Sequence, residues 1–142
     1  MNDIDHGISV PVNIPLLNGN EAKYVLDCVE TGWISSEGDY VKKFEMQFSS
    51  YVGRKYGVAV ANGSAALEVA LKVAGVEKGD EVILPTFTIM SCLAPVLRAG
   101  AVPIFVDCNL DTWNMDVTRI EECVSKRTKA IIAVHIYGLT CD

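Results

Sequence analysis

From Tyr56 onward the chain alternates short apolar runs with helical patterns. "YGVAVA" (56–61) precedes a helix from Ser64, "DEVILP" (80–85) a helix near 88–99, "AVPIFVD" (101–107) a helix near 116–125, and "KAIIAVH" (129–135) closes the series. Runs that are apolar throughout, separated by helices of roughly ten residues, predict parallel strands, since a parallel neighbour is reached only through a crossover and crossover helices cover both sheet faces. The expected fold class is α/β with a mostly parallel sheet. The last strand runs into "IYGLTCD" with no crossover helix after it, so the chain is expected to be part of a larger domain.

Ahead of this series, residues 1–19 read as an irregular N-terminal segment, with Pro11 and Pro15 interrupting any regular hydrogen bonding. A first helix is predicted from about Asn20, with Ala22, Val25, Leu26 and Val29 on one face and Gly32 at the C-terminal cap. A second spans about Gly38 to Tyr51, with Val41, Phe44, Phe48 and Val52 on one face and Gly53 closing it. The connection "TGWISSEGDY" (31–40) is either a helix–helix joint pinned by Trp33 or a loop that contacts a polar ligand.

Twelve Lys plus Arg against 18 Asp plus Glu leave a net charge of −6, which repels a nucleic-acid backbone. The five cysteines (Cys28, Cys92, Cys108, Cys123, Cys141) form no C-x-x-C pair, so neither a zinc site nor a disulfide framework is expected and the pattern suits reduced cytoplasmic thiols. "MNDIDHGISV" does not read as a secretory signal, and the longest uncharged run, Val82 to Leu97, is too short and too interrupted by Pro85 and Pro95 to span a membrane.

In an open parallel sheet, ligands bind where strands deliver their carboxyl ends and helices present their N-termini. The turn Asn62-Gly63-Ser64-Ala65 lies at such a place. Gly63 is read as permitting a tight turn, and the N–H groups of Ser64, Ala65 and Ala66, with the Ser64 hydroxyl, as donors to a phosphate. The competing reading is that Asn62 or Ser64 simply caps the helix. Along that helix Leu67, Ala70, Leu71 and Ala74 form the expected buried stripe, and Glu68 with Lys72 a solvent-side pair. "PTFTIMSC" (85–92) either lines the same pocket through Pro85, Thr86, Phe87 and Thr88 or is an ordinary loop with Phe87 and Ile89 in the core. His135, at the expected end of the last strand, is either a satisfied structural residue or a pocket residue. Neither G-x-G-x-x-G nor a P-loop signature is present, which weighs against a nicotinamide-dependent oxidoreductase.

Together, "GNEAKYVLDCVETGWISSEGDYVKKFE", "NGSAALEVAL", "KGDEVILPTFTI", "AGAVPIFVD" and "RTKAIIAVHIYG" resemble the N-terminal portion of the DegT/DnrJ/EryC1/StrS sugar aminotransferases, from about Ile14 onward. The resemblance implies that residues 20–142 are an incomplete N-terminal part of the large domain of an aspartate-aminotransferase-like (type I) fold. It also implies a pyridoxal 5'-phosphate cofactor and a homodimer with active sites at the subunit interface. Such enzymes transfer an amino group from L-glutamate to a nucleotide-linked 4-keto-6-deoxy sugar, GDP-4-keto-6-deoxymannose in the perosamine-forming branch.

Carried onto this sequence, Gly63, Ser64 and Ala65 match the cofactor-phosphate turn. Ile89 stands where many members place an aromatic ring over the cofactor, and offers apolar contact without ring stacking. Trp33 and Ser35 match the loop near the substrate. The Schiff-base lysine and the carboxylate at the pyridine nitrogen lie, in the family, beyond residue 142. The eight lysines present all read as solvent-facing, so the 142 residues alone are expected to be inactive. Two other readings stay open: a fragment of a pyridoxal-phosphate sugar dehydratase, which carries His in place of that lysine, and a non-catalytic phosphate-binding or assembly module.

Overall fold

The computed structural model describes residue 11 and residues 13–142. The expected irregular segment therefore lies largely outside the described residues. The chain divides into two compact units, residues 1–59 and 60–142.

In the first unit, α1 (Glu21–Thr31) and α2 (Asp39–Tyr51) match the two expected helices. Gly32 ends α1 in the left-handed conformation at φ 76°, where its N–H reaches the carbonyl of Val29. The side chain of Glu21 reaches back to the Gly19 N–H at 2.8 Å, satisfying a donor ahead of the first turn. Phe44 and Phe48 stack with ring centroids 5.6 Å apart, and the Tyr40 hydroxyl donates to Asp27 at 3.0 Å. The apolar stripes are present, yet Val25, Leu26, Val29, Phe44 and Phe48 all remain exposed.

The second unit carries α3 (Gly63–Val73), β1 (Glu81–Pro85), α4 (Met90–Arg98), β2 (Val102–Val106), a short 3-10 turn (Val117–Arg119) leading into α5 (Ile120–Cys123), and β3 (Thr128–Ile131). The sheet is parallel, in the order β2-β1-β3, as the apolar texture and crossovers required. Every residue of β1 is buried. Its side chains alternate between two cores: Val82 and Leu84 meet Leu71 of α3 and Cys92 and Val96 of α4, while Ile83 faces Val106 and Met115. Each such fully buried side chain contributes roughly 1.5–3 kcal/mol relative to exposure.

Several expectations are corrected. Residues 56–61 are not a strand: the Ala59 N–H is taken by the Glu45 carboxylate at 2.8 Å, and Gly57 passes so close to α2 that a Cβ there would meet the Glu45 carbonyl oxygen at 2.6 Å. With its backbone turned toward a helix, the segment has no ladder partner among the described residues. The last strand stops at Ile131 instead of His135, because its partner β1 ends at Pro85, which has no N–H to prolong a ladder. The helix expected near 116–125 is one short 3-10 turn and one α-turn, opened by Asp116 accepting from the Thr118 N–H. Burial on both faces holds for β1 alone, since β2 and β3 are edge strands among the described residues and Phe105 and Ile131 are exposed. On α3 only Leu71 is buried, with Leu67 packed against it, and Ala70 and Ala74 are exposed. Glu68 pairs with Arg98 of α4, not with Lys72.

Candidate functional site

Residues 63–65 open α3, following Asn62 in extended conformation. The Asn62 side chain accepts from the Ala65 N–H at 3.0 Å, and its carbonyl accepts from the Ala66 N–H at 3.1 Å. The capping reading is thus correct for Asn62, and two of the three expected phosphate donors are already engaged. The Gly63 and Ser64 N–H groups have no partner among the described residues, as helix geometry requires of the first turn unless something outside the helix supplies an acceptor. Gly63 is the first helical residue and does not take the left-handed conformation expected of a tight turn. A Cβ at Gly63 would meet nothing within 4 Å, so no neighbouring group crowds that residue, and the unpartnered first-turn N–H groups suit an anion. This donor set, with the Ser64 hydroxyl beside it, fits a phosphate.

The carboxyl end of β1 leads into Thr86, Phe87, Thr88 and Ile89. The Thr86 N–H donates to the Val106 carbonyl at 2.9 Å and its hydroxyl to Asp107 at 3.1 Å, tying the ends of β1 and β2 together. The Cys108 N–H, above all, and the Thr86 hydroxyl hold the Asp107 carboxyl below its ordinary pKa, so it stays charged at the strand edge. Neither Phe87 nor Ile89 is core: Phe87 packs on Trp113 with centroids 5.5 Å apart, and Ile89, at the N-cap of α4, is 66% exposed. The Thr88 Oγ1 is buried with no hydrogen-bond partner. An exposed aliphatic face beside an orphaned hydroxyl suits a flat, partly polar ring system. α3 and α4 pack on one another and on the same core.

His135 is exposed, and its Nδ1 accepts from the Cys141 N–H at 3.1 Å, which in the neutral ring leaves the proton on Nε2. All eight lysines are exposed, none in an apolar pocket. Trp33 and Ser35, in the first unit, line a groove of about 720 Å³ together with Tyr24, Val29, Tyr40 and Phe44. The Ser35 hydroxyl there accepts from the Glu37 N–H at 3.3 Å, and burial, followed by the Asp27 hydrogen bond, raises the Tyr40 pKa. Among the described residues, no group of three or more His, Cys, Asp or Glu is placed to hold a metal ion, and no helix is long and apolar enough to cross a membrane.

Sequence reasoning missed Asn114 and Trp113. Asn114 is 5% exposed and its side chain joins the loop after β2 to the segment after β3, donating to the carbonyls of Leu139 and Thr140 at 3.0 and 3.1 Å and accepting from the Ile136 N–H at 3.1 Å. Nothing periodic marks them; the one signal in "DTWNMD" is an asparagine between two large apolar residues.

The model of the DegT/DnrJ/EryC1/StrS aminotransferase family matches residues 15–142. The GDP-perosamine synthases of Escherichia coli O157:H7 and Vibrio cholerae are 44% and 41% identical over 133 residues, 94% of this chain and 36% of each relative. The solved Escherichia coli GDP-4-keto-6-deoxy-D-mannose-3-dehydratase with bound hydrated PLP is 30% identical, with a TM-score of 0.82 over 94% of this chain and 36% of that one. The chain thus spans about a third of the length of the relatives it matches. With a match over almost the whole sequence and the parallel sheet and helices in place, this chain belongs to the DegT/DnrJ/EryC1/StrS aminotransferase family.

Proposed function

We propose that the whole protein is a pyridoxal-phosphate-dependent aminotransferase that moves an amino group from L-glutamate to a nucleotide-linked 4-keto-6-deoxy sugar, of the kind that yields GDP-perosamine. The observation that carries this reading is the opening of α3, where the N–H groups of Gly63 and Ser64 have no partner among the described residues and stand beside the Ser64 hydroxyl, within the stretch the family model matches. Gly63, Ser64 and Ala65 hold the cofactor phosphate; the Ala65 N–H joins if Asn62 releases it. Ile89 offers an apolar face to the ring. When bound, pyridoxal phosphate supplies an electron sink for the carbon from which a proton is removed. Because every lysine here is exposed, the lysine that carries the cofactor and the carboxylate at its ring nitrogen come from elsewhere in the protein. On the same reading residues 20–142 are the N-terminal part of the large domain, and the 142 residues alone do not turn over. Trp33 and Ser35 serve the substrate, and the enzyme is a cytoplasmic homodimer.

A second reading, a sugar dehydratase of the same fold, is favoured by the structural likeness to the dehydratase. One experiment separates them. The full-length protein, loaded with cofactor and given GDP-4-keto-6-deoxymannose and ¹⁵N-labelled glutamate, is expected to yield a sugar nucleotide that has gained the labelled nitrogen. A product that has lost water and gained no nitrogen establishes the dehydratase. No conversion with the cofactor bound points to the non-catalytic module.

A further inference from the structure

Among the described residues, the only non-glycine residues with positive φ are Trp113, at 59°, and Tyr137, at 48°. Bulky aromatic residues rarely take this conformation, because Cβ crowds the following carbonyl. Both line one apolar pocket of about 560 Å³, with Phe87, Ile136 and Leu139. Asn114 lies between them in the hydrogen-bond network: its backbone follows Trp113, and its side chain holds the backbone of Ile136, Leu139 and Thr140 around Tyr137.

The Trp113 N–H donates to the Asn109 carbonyl at 2.8 Å, and the Asn109 N–H returns to the Asn114 carbonyl at 2.8 Å, so the turn is closed on both sides. Two carbonyls and one N–H converge on Asn114, and a carboxamide is the side chain whose two donors and one acceptor satisfy all three. A carboxylate has no donor, and an aliphatic isostere leaves all three backbone groups without this partner. Trp113, 52% exposed, is not held in place by deep burial; its ring rests on Phe87, two residues before Ile89 and adjacent to the unpartnered Thr88 hydroxyl.

We propose that Asn114 is a positioning residue for the cofactor face: it fixes the left-handed Trp113, whose ring bears on Phe87 and so sets the course of Thr88 and Ile89. The inference rests on the reading of Ile89 as a cofactor contact. Its test is cofactor affinity, read by titrating the apo form of the full-length protein with pyridoxal phosphate and following the visible absorption, with Tm recorded in parallel. Asn114→Asp removes the donors, and Trp113→Gly removes the ring while relieving the backbone. Both are expected to raise the dissociation constant by about tenfold or more, since small displacements of a positioning group are costly. Trp113→Phe, which keeps a ring against Phe87, restores most of the affinity.

Met115→Ala is the packing control: Met115 is buried against Ile83 and Val106, so this variant lowers Tm and leaves the dissociation constant unchanged. Wild-type affinity in both Asn114→Asp and Trp113→Gly overturns the proposal, as does a loss in Met115→Ala equal to that in Asn114→Asp at equal Tm. A full-length wild-type protein that takes up no pyridoxal phosphate overturns the site reading and this inference with it.

Discussion

The two units carry apolar residues in different patterns, a one-face stripe in the helices of the first and a continuous run in β1 of the second, and obtain different burial from them. In the first, α1 buries no residue and α2 buries only Ser49, although both carry the expected stripes. In the second, five consecutive residues of β1 are all buried. A central strand acquires hydrogen-bonded neighbours on both edges and helices on both faces, so each of its side chains meets a surface on whichever side it points. An amphipathic helix specifies which face is to be covered without supplying the cover.

The largest test of this contrast is Ile83→Ala, which removes a fully buried side chain from the second core and is expected to cost about 2–5 kcal/mol in urea unfolding. A loss below about 1 kcal/mol would mean the core under β1 collapses around the deletion and is no better packed than the helical unit. Next comes Asn62→Ala. It removes the cap on Ala65 and is expected to lower stability by about 1 kcal/mol, while Asn62→Gly costs only a few tenths. It also releases the Ala65 N–H, so under the proposed function cofactor affinity holds or rises as stability falls. Smaller still is Phe44→Ala in the 142-residue chain: with Phe44 55% exposed, its change is expected to stay within about 0.5 kcal/mol. A markedly larger loss for the same substitution in the full-length protein would identify this face as covered there.

The smallest effect is confined to acid. Glu81, buried at the start of β1, accepts from the Ser125 hydroxyl and pairs with Arg127, and the Ser125 hydrogen bond foremost holds its carboxyl below the ordinary range despite burial. A depressed folded pKa means the stabilisation is fully present above the unfolded value of about 4.3 and is lost as pH falls through the folded one. Stability should therefore decline below about pH 4.3, and Glu81→Gln should remove that part of the slope. An unchanged acid limb in the variant would assign the decline to other carboxylates.

Much of this was legible in the chain. The positions of α1 and α2 followed from spacing and from Gly32, and β1 and β2 from apolar runs between turn residues, because these depend on backbone periodicity and on which residues tolerate left-handed geometry. The turn at Asn62 was legible as a place, but the state of its N–H groups was not: nothing in "NGSAA" tells whether Asn62 or another group takes the Ala65 N–H. The segment 56–61 had strand composition and no ladder, because Glu45, eleven residues earlier than Tyr56, occupies its backbone. Asn114 was invisible for a related reason: its partners lie 22 to 26 residues away.

The sequence by itself determined the α/β class, the parallel sheet and the family, since all three are written in local period, crossover length and ordered motifs. Tertiary structure alone decided which apolar faces became core and where each strand ended. It also decided which N–H groups stayed open at α3 and which asparagine came to hold two strained aromatic residues. Those outcomes depend on groups distant in the chain competing for the same hydrogen bonds and the same buried surface, and that competition is settled only when the chain has folded.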